Sequence, residues 1–380
     1  MIIMPTKKNA VDEEKVKYYS LDKILKKQCR YNVIIGERSN GKTYSVLNYA
    51  LKRYCETGEQ FGIIRRYMDD FVGKRGTVMF DGLVNNKLVE KYTKGQWTNV
   101  MYYSSRWFLT KFDEKTNKWV YAPEPMGYAF SLNGMEHDKS TAYPKITTIL
   151  FDEFVTRKTY LDEEFVIFQN VVSTIVRQRD DVIIFMCANT VNKYCPYFVE
   201  MGLTNMRNMK HGDIDVYEYG DSGLRVAVEY TDTAVKSKKK SDVYFAFNNP
   251  KLNMITKGGW EIPSYPHLPK KYIWDDVAAI FFIKFYDEVV QGEVISQDNC
   301  RFIFLHRKTT PLRDNIQQIV YSQEYSPQPN YNRHINKPTN NAEKVIWDLF
   351  RMDKVFYQDN EIGELVRNYV QWATTDKGIP

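Results

Sequence analysis

The chain has 380 residues, long for one compact core and enough for two domains. Hydrophobic residues make up 43% of it, an ordinary share for a globular chain, and no run nears the roughly 18 apolar residues of a membrane span. Its net charge of +6 permits a polyanionic partner without demanding one, and five scattered cysteines with no C-x-x-C spacing suggest neither a disulfide framework nor a zinc knuckle. The N-terminus has no secretory h-region, so the expectation is a reduced, intracellular, soluble protein without a membrane partner.

Residues 1 to about 20 read as a polar arm rich in Lys and Glu. Residues 31–35 read as a short buried strand, and 44–54 carry Val46, Leu47, Ala50, Leu51 and Tyr54 at helical spacing. Between them Gly36-Glu37-Arg38-Ser39-Asn40-Gly41-Lys42-Thr43 matches G-x-x-x-x-G-K-[ST] without a gap. A strand, this loop and a helix in that order predict a phosphate cradle. Gly36 and Gly41 let the backbone curl so that N–H groups point at an anion. The helix N-terminus adds partial positive charge, Lys42 reaches the β/γ-phosphates, and Thr43 offers a hydroxyl to Mg²⁺. The predicted ligands are ATP and Mg²⁺, held by Gly36 through Tyr44. The competing reading is a Gly-rich turn that happens to hold a lysine. Gln28, eight residues before the loop, is a weak candidate for an adenine contact.

Residues 61–67 read as a second strand, which puts Arg65 and Arg66 on the same sheet edge as the loop, facing nucleotide, DNA or a neighbouring subunit. Residues 99–132 read as a hairpin insertion. Lys139 follows it, either a group acting in trans or a surface lysine. The β-branched, apolar strand over 147–151 then delivers Asp152 to hold Mg²⁺ and Glu153 to act as general base on a water. With about 110 residues between Lys42 and Asp152, a strand inserted between the two motif-bearing strands is expected. A helix over 165–177 ends at Arg177 and Arg179. Either these project toward a neighbour's γ-phosphate, or they are solvated arginines favouring a helix C-terminus. Asn189, ending the buried strand 182–188, orients water or senses the γ-phosphate, or else caps a turn.

The alternation of strands and helices up to about residue 203 predicts an α/β sheet with crossover helices. The expected division is an ATPase domain over 1–205, a linker with local helix over 206–270, and a β-rich C-terminal domain over 271–380. The linker holds the run Lys236, Lys238, Lys239 and Lys240, either phosphate contacts to DNA or a solvated charge cluster. In the last segment, strands are expected at 278–285, 288–295 and 301–306, a polar loop over 321–341, and helices over 342–352 and 361–373.

This ordered set of motifs resembles the DNA-packaging ATPases (encapsidation proteins) of small podophages of the phi29 type. The resemblance rests on the loop, Gly58-Glu59-Gln60-Phe61 running into Arg65-Arg66-Tyr67, and Lys139-Ser140-Thr141-Ala142-Tyr143-Pro144 leading into Asp152-Glu153-Phe154. Arg177-Gln178-Arg179 and Asn189 through Pro196-Tyr197-Phe198 continue it, so that it spans about residues 17–200. It implies a P-loop NTPase core of the additional-strand, catalytic-glutamate (ASCE) type with a smaller C-terminal α+β domain, a degenerate form of an RNase H-like nuclease fold. It further implies a homo-oligomeric ring, a pentamer, docked on the portal vertex of a viral prohead in the host cytoplasm. Such a ring drives double-stranded DNA inward, in some members with a structural RNA. On this reading Arg177 matches the arginine offered in trans and Asn189 the coupling motif. The C-terminal strand over 278–285 lacks a central acid and carries Lys284, while Asp287, Glu288 and Asp298 sit near strand ends, so nuclease chemistry is not expected. The alternatives are a P-loop helicase or DNA-repair ATPase, and a nucleotide-binding scaffold, against which Glu153 argues.

Overall fold

The computed structural model describes residues 18–137, 142–157, 160–190, 192–232, 265–268, 271–312 and 318–376. These divide into two units. The first takes the described residues of Met1–Phe154, Val172–Asn189 and Asn208–Asn248, and the second those of Val155–Val171, Thr190–Arg207 and Asn249–Pro380. Among the described residues no helix is long and apolar enough to cross a membrane.

The first unit is built on ten strands: β1 (Tyr31–Gly36), β2 (Gln60–Arg65), β3 (Asn99–Tyr103), β4 (Arg106–Asp113), β5 (Lys118–Tyr121), β6 (Gly127–Ser131), β7 (Ile146–Asp152), β8 (Ile183–Asn189), β9 (Ile214–Tyr219) and β10 (Leu224–Tyr230). They form one sheet in the order β3-β4-β6-β2-β7-β8-β1-β10-β9, with β5 paired to β4. From β6 to β10 all neighbours run parallel, while β3, β4, β5 and β9 are added antiparallel at the two margins. Strands β1, β2, β7 and β8 read as near-continuous apolar runs because both their faces are covered. The helix Lys42–Thr57 turns Val46, Leu47, Ala50 and Leu51 into the core, against Ile34, Ile63, Leu150 and Phe185. Beside it Trp107 is fully buried, its ring centroid 5.0 to 6.1 Å from those of Tyr102, Phe71, Phe80 and Phe61, and its indole N–H donates to the Gly76 carbonyl at 2.7 Å.

Two expectations need correction here. The span 206–270 is not a linker throughout, because β9 and β10 form a hairpin and β10 pairs in parallel with β1 over Val226–Tyr230. Its buried run Val226–Tyr230 completes the side of β1 opposite β8. The boundary at 205 also fails, because 155–171 and 190–207 belong to the second unit. Polar contacts inside that unit hold them: Asn192 Nδ2 donates to Asn368 Oδ1 at 2.8 Å, and Arg367 donates to the Arg157 carbonyl at 3.2 Å.

The second unit carries a six-stranded sheet of β11 (Val277–Phe285), β12 (Glu288–Gln297), β13 (Cys300–Arg307), β14 (Ile319–Ser322), β15 (Tyr331–Asn332) and β16 (Val355–Tyr357), in the order β15-β14-β11-β12-β13-β16. Strands β11 to β13 form an antiparallel meander, continued by parallel β14 and β15 on one side and parallel β16 on the other. Helices Asn341–Arg351 and Asn360–Thr375 pack Ile346, Leu349, Leu365, Val366 and Tyr369 against Phe281, Ile283, Val290 and Ile303. Asn340 and Asp359 cap them, accepting from the N–H groups of Glu343 and Ile362.

Candidate nucleotide site

Parallel pairing sends the carboxyl ends of β1, β2, β7, β8 and β10 to one edge of the sheet, where the candidate residues gather. The loop follows β1 directly. Gly41 has φ +94°, a left-handed conformation that glycine adopts without a steric penalty, and Ser39 shares it at φ 63°. Gly36 does not have a positive φ. Its need for glycine is steric, since a Cβ there would lie 1.8 Å from the Thr231 hydroxyl oxygen.

Lys42 is 5% exposed, and its ammonium lies within hydrogen-bond reach of the carbonyls of Gly36 (3.2 Å) and Glu37 (2.6 Å) and of the Oδ1 atoms of Asn40 (3.1 Å) and Asn189 (3.3 Å). Burial pushes its pKa down to about 8, partly opposed by Cys187, Asp152 and Glu37. Burial also raises the Glu37 carboxyl, against the pull of His211 and Lys42. Thr43 donates its hydroxyl to Asp152 Oδ1 at 2.8 Å, which brings the loop and the end of β7 together. Strand β8 lies between β1 and β7, as the spacing of the motifs predicts, and pairs Asn189 with Gly36. Asp152 is buried, so the hydroxyl, its carboxylate and the Lys42 ammonium form one compact polar group.

Arg65, ending β2, joins this group. Its Nη2 donates to Asp152 Oδ2 at 2.6 Å and its Nη1 to Glu153 Oε2 at 2.7 Å, so one guanidinium bridges both carboxylates. Glu153 has φ 57°, a strained conformation for a residue with a side chain, and its N–H donates to the Cys187 carbonyl at 2.8 Å. Arg66 is buried, with hydrogen bonds to the carbonyls of Phe154 (2.7 Å) and Glu153 (3.4 Å), and so braces the turn after β7.

The remaining candidates fall elsewhere. Arg38 and Ser39 are exposed in the loop, and the Tyr44 hydroxyl accepts from Asn86 Nδ2 at 2.9 Å. Gln28 is exposed in the turn before β1. Arg177 ends the helix Glu164–Val176 that precedes β8, and so lies at the amino-terminal edge of the sheet, roughly 20 Å from the loop by strand length. Arg179 is held in place by the carbonyls of Ile146 (2.7 Å), Tyr143 (3.2 Å) and Ile175 (3.3 Å) and by Asp181 (3.1 Å). Lys139 and the run Lys236–Lys240 lie outside the described residues. In the second unit Lys284 pairs with Glu324 at 2.5 Å. Asp287 and Asp298 occupy turns at opposite ends of the ten-residue β12, roughly 30 Å apart, and do not converge. Sequence reasoning missed Thr231, just past β10, whose hydroxyl accepts from Asn40 Nδ2 at 2.8 Å. A lone threonine after a strand carries no motif.

A hydroxyl and a carboxylate at hydrogen-bond distance are hard oxygen donors suited to Mg²⁺, and the buried ammonium beside a positive-φ loop suits phosphate. Thr43 and Asp152 would hold the metal, and the loop from Gly36 to Thr43 the phosphates.

The Lys42 pKa has a consequence for stability. In the unfolded chain a lysine titrates near roughly 10.4, so between about pH 8 and 10.4 the folded chain binds fewer protons than the unfolded one. Burying the charge costs most below pH 8, and the cost is relieved as pH rises. Chemical unfolding of the wild type and of Lys42→Met across this window should show the wild type gaining on the variant by on the order of 1–3 kcal/mol. A constant difference would contradict the buried, charge-strained ammonium.

Comparison with known proteins gives consistent matches. Residues 13–245 match the model of the family described as Podovirus DNA encapsidation protein (Gp16). The DNA packaging protein of Bacillus phage B103 is 29% identical over 187 residues, which cover 48% of this chain and 50% of that protein. The DNA packaging protein of Bacillus phage phi29 is 29% identical over 193 residues, covering 50% and 52%. The chain spans about half the length of the curated relatives it matches. The bacteriophage Phi-29 viral genome packaging motor assembly contains a chain of the same fold, with TM-score 0.53 and 20% identity, covering 92% of this chain and 96% of that one.

Proposed function

The chain belongs to the podovirus DNA encapsidation protein family, and on that premise we propose that it is the ATP-hydrolysing subunit of a ring motor that drives double-stranded DNA into a viral prohead. The observation that carries the hydrolytic part is the convergence of Lys42, Thr43, Asp152 and Asn189 on one sheet edge, with Glu153 directly after Asp152. A site that only held nucleotide would need the loop and the metal pair. The added carboxylate is what hydrolysis requires.

Each residue takes a role in this reading. The loop N–H groups and Lys42 bind and orient the phosphates, and Thr43 and Asp152 would hold Mg²⁺, which would supply charge neutralisation. Glu153 is the base that takes a proton from water. The oxygen that Arg65 Nη1 holds must be released before it can receive a proton from water. Asn189, within reach of the Lys42 ammonium, orients the water or reads the terminal phosphate. Arg66 and Arg179 brace their own chain. At the far edge of the sheet, Arg177 serves a γ-phosphate only from a neighbouring subunit. The partners are further copies of this chain, DNA and the portal vertex of the prohead, in the infected cell. The second unit handles DNA or docks to the prohead, with no cleavage role.

ATP turnover measured with DNA, with and without purified proheads, tests this reading. Proheads should raise the DNA-dependent rate several-fold, and a rate indifferent to them would point to a free helicase instead. The trans role of Arg177 is tested by mixing subunits. Arg177→Ala and Lys42→Ala chains, each inactive alone, should recover part of the wild-type rate together, since each supplies what the other lacks. Intact rings with no recovery would remove Arg177 from the site.

A further inference from the structure

Thr231 is separated from the loop by 191 positions from Asn40 in sequence, yet it is buried at the loop's base. Its N–H donates to the Ile35 carbonyl at 2.8 Å, extending the β1–β10 ladder by one bond. Its carbonyl meets His211 Nδ1 at 2.8 Å, so the main chain is fixed on both sides. The side chain is therefore aimed, and its hydroxyl fills the space that a Cβ on Gly36 would need. That hydroxyl receives the Asn40 side-chain N–H, while Asn40 Oδ1 lies 3.1 Å from the Lys42 ammonium and 3.3 Å from the Lys42 N–H.

A primary amide has a donor end and an acceptor end, so fixing one fixes the other. With Nδ2 turned to Thr231, Asn40 must present Oδ1 to Lys42. A second thread from β10 reaches the same residue. Glu229, buried, accepts from the Tyr19 hydroxyl at 2.6 Å, and the Tyr19 N–H donates to the Asn40 carbonyl at 3.0 Å. Ser45 donates to the Tyr19 carbonyl at 2.5 Å and so ties this segment to the helix behind the loop. Asn40 is thus held by β10 through its side chain directly and through its main chain by way of Tyr19.

We propose that Thr231 is a positioning residue for phosphate binding: through the Asn40 amide it orients Lys42, and it makes the loop's geometry depend on the end of β10. This inference rests on the reading of the site as a nucleotide site. Loss of the hydroxyl leaves a buried N–H without its acceptor and frees the amide to turn its donor end toward a cation. The effect falls on ligand affinity more than on folding, because the Thr231 main-chain bonds do not need the hydroxyl.

The test is equilibrium binding of a fluorescent ATP analogue to the full chain, with a thermal melt of each variant. Thr231→Val should weaken binding about ten-fold and leave the ligand-free melting temperature close to wild type. Thr231→Ser, which restores the hydroxyl, should return affinity to within about two-fold. In an Asn40→Ala background, adding Thr231→Val should change affinity by less than about two-fold, because the link is already cut. Wild-type affinity in Thr231→Val, failure of serine to rescue, or additive losses in the double variant would each overturn the proposal. If Thr231→Val does not fold, the comparison of Thr231→Ser with Thr231→Ala decides, equal losses in both counting against it. A wild-type chain that binds no ATP analogue would overturn the nucleotide reading itself, and this inference with it.

Discussion

The site depends on the parallel pairing of β1 between β8 and β10. Parallel strands point their carboxyl ends the same way, so the residues that end these strands and their parallel neighbours gather at one edge. Gly36 ends β1, Asp152 ends β7, Asn189 ends β8, Arg65 ends β2, and Thr231 follows β10. Because the interior of the sheet is apolar on both faces, the polar groups collect at this edge, where many of them meet one another. They satisfy one another through a network in which each charge has an opposite neighbour or an oriented dipole. Lys42 is the member under most electrostatic strain, since its burial is compensated by carbonyl and amide dipoles more than by carboxylates. A polyanionic phosphate is the ligand that relieves that strain.

Arg65, the last residue of β2, and Arg66, just past it, divide their work in a way that their adjacency conceals. Arg65 and Arg66 meet different groups. Arg65 reaches the carboxylates of Asp152 and Glu153, while Arg66 reaches main-chain carbonyls beyond β7. Glu153, with a left-handed backbone, is held through its N–H by the Cys187 carbonyl, through its carbonyl by Arg66 and through its carboxylate by Arg65.

Much of this site was legible in the sequence because phosphate binding constrains neighbours in the chain. The Gly36–Thr43 pattern, the apolar run ending in Asp152 and the strand that must lie between them are local or short-range signals, and the sheet order agrees with all three. What stayed hidden is what comes from distant segments. Thr231 sits beside Gly36 only because β10 pairs with β1, and β10 itself was concealed by the lysine run that follows it. The reason for glycine at 36 was misassigned for the same cause, since the obstruction is another strand's hydroxyl rather than the backbone's own conformation. The short helices Arg75–Val78, Asp81–Asn85 and Leu88–Tyr92 are each about one turn, too brief for apolar periodicity to register. The boundary at 205 failed because both units are discontinuous in the chain, which composition cannot reveal.

In the function proposed above, these strand ends form one hydrolytic site with Glu153 as its base. The most direct measurement is ATP binding and single-turnover hydrolysis by the Glu153→Gln chain, which keeps the size of the side chain and removes its basicity. Affinity should stay within about two-fold of wild type, and the hydrolysis rate should fall by about 10²-fold or more. Hydrolysis at the wild-type rate would contradict it, and would leave the carboxylate bridged by Arg65 with a structural role alone.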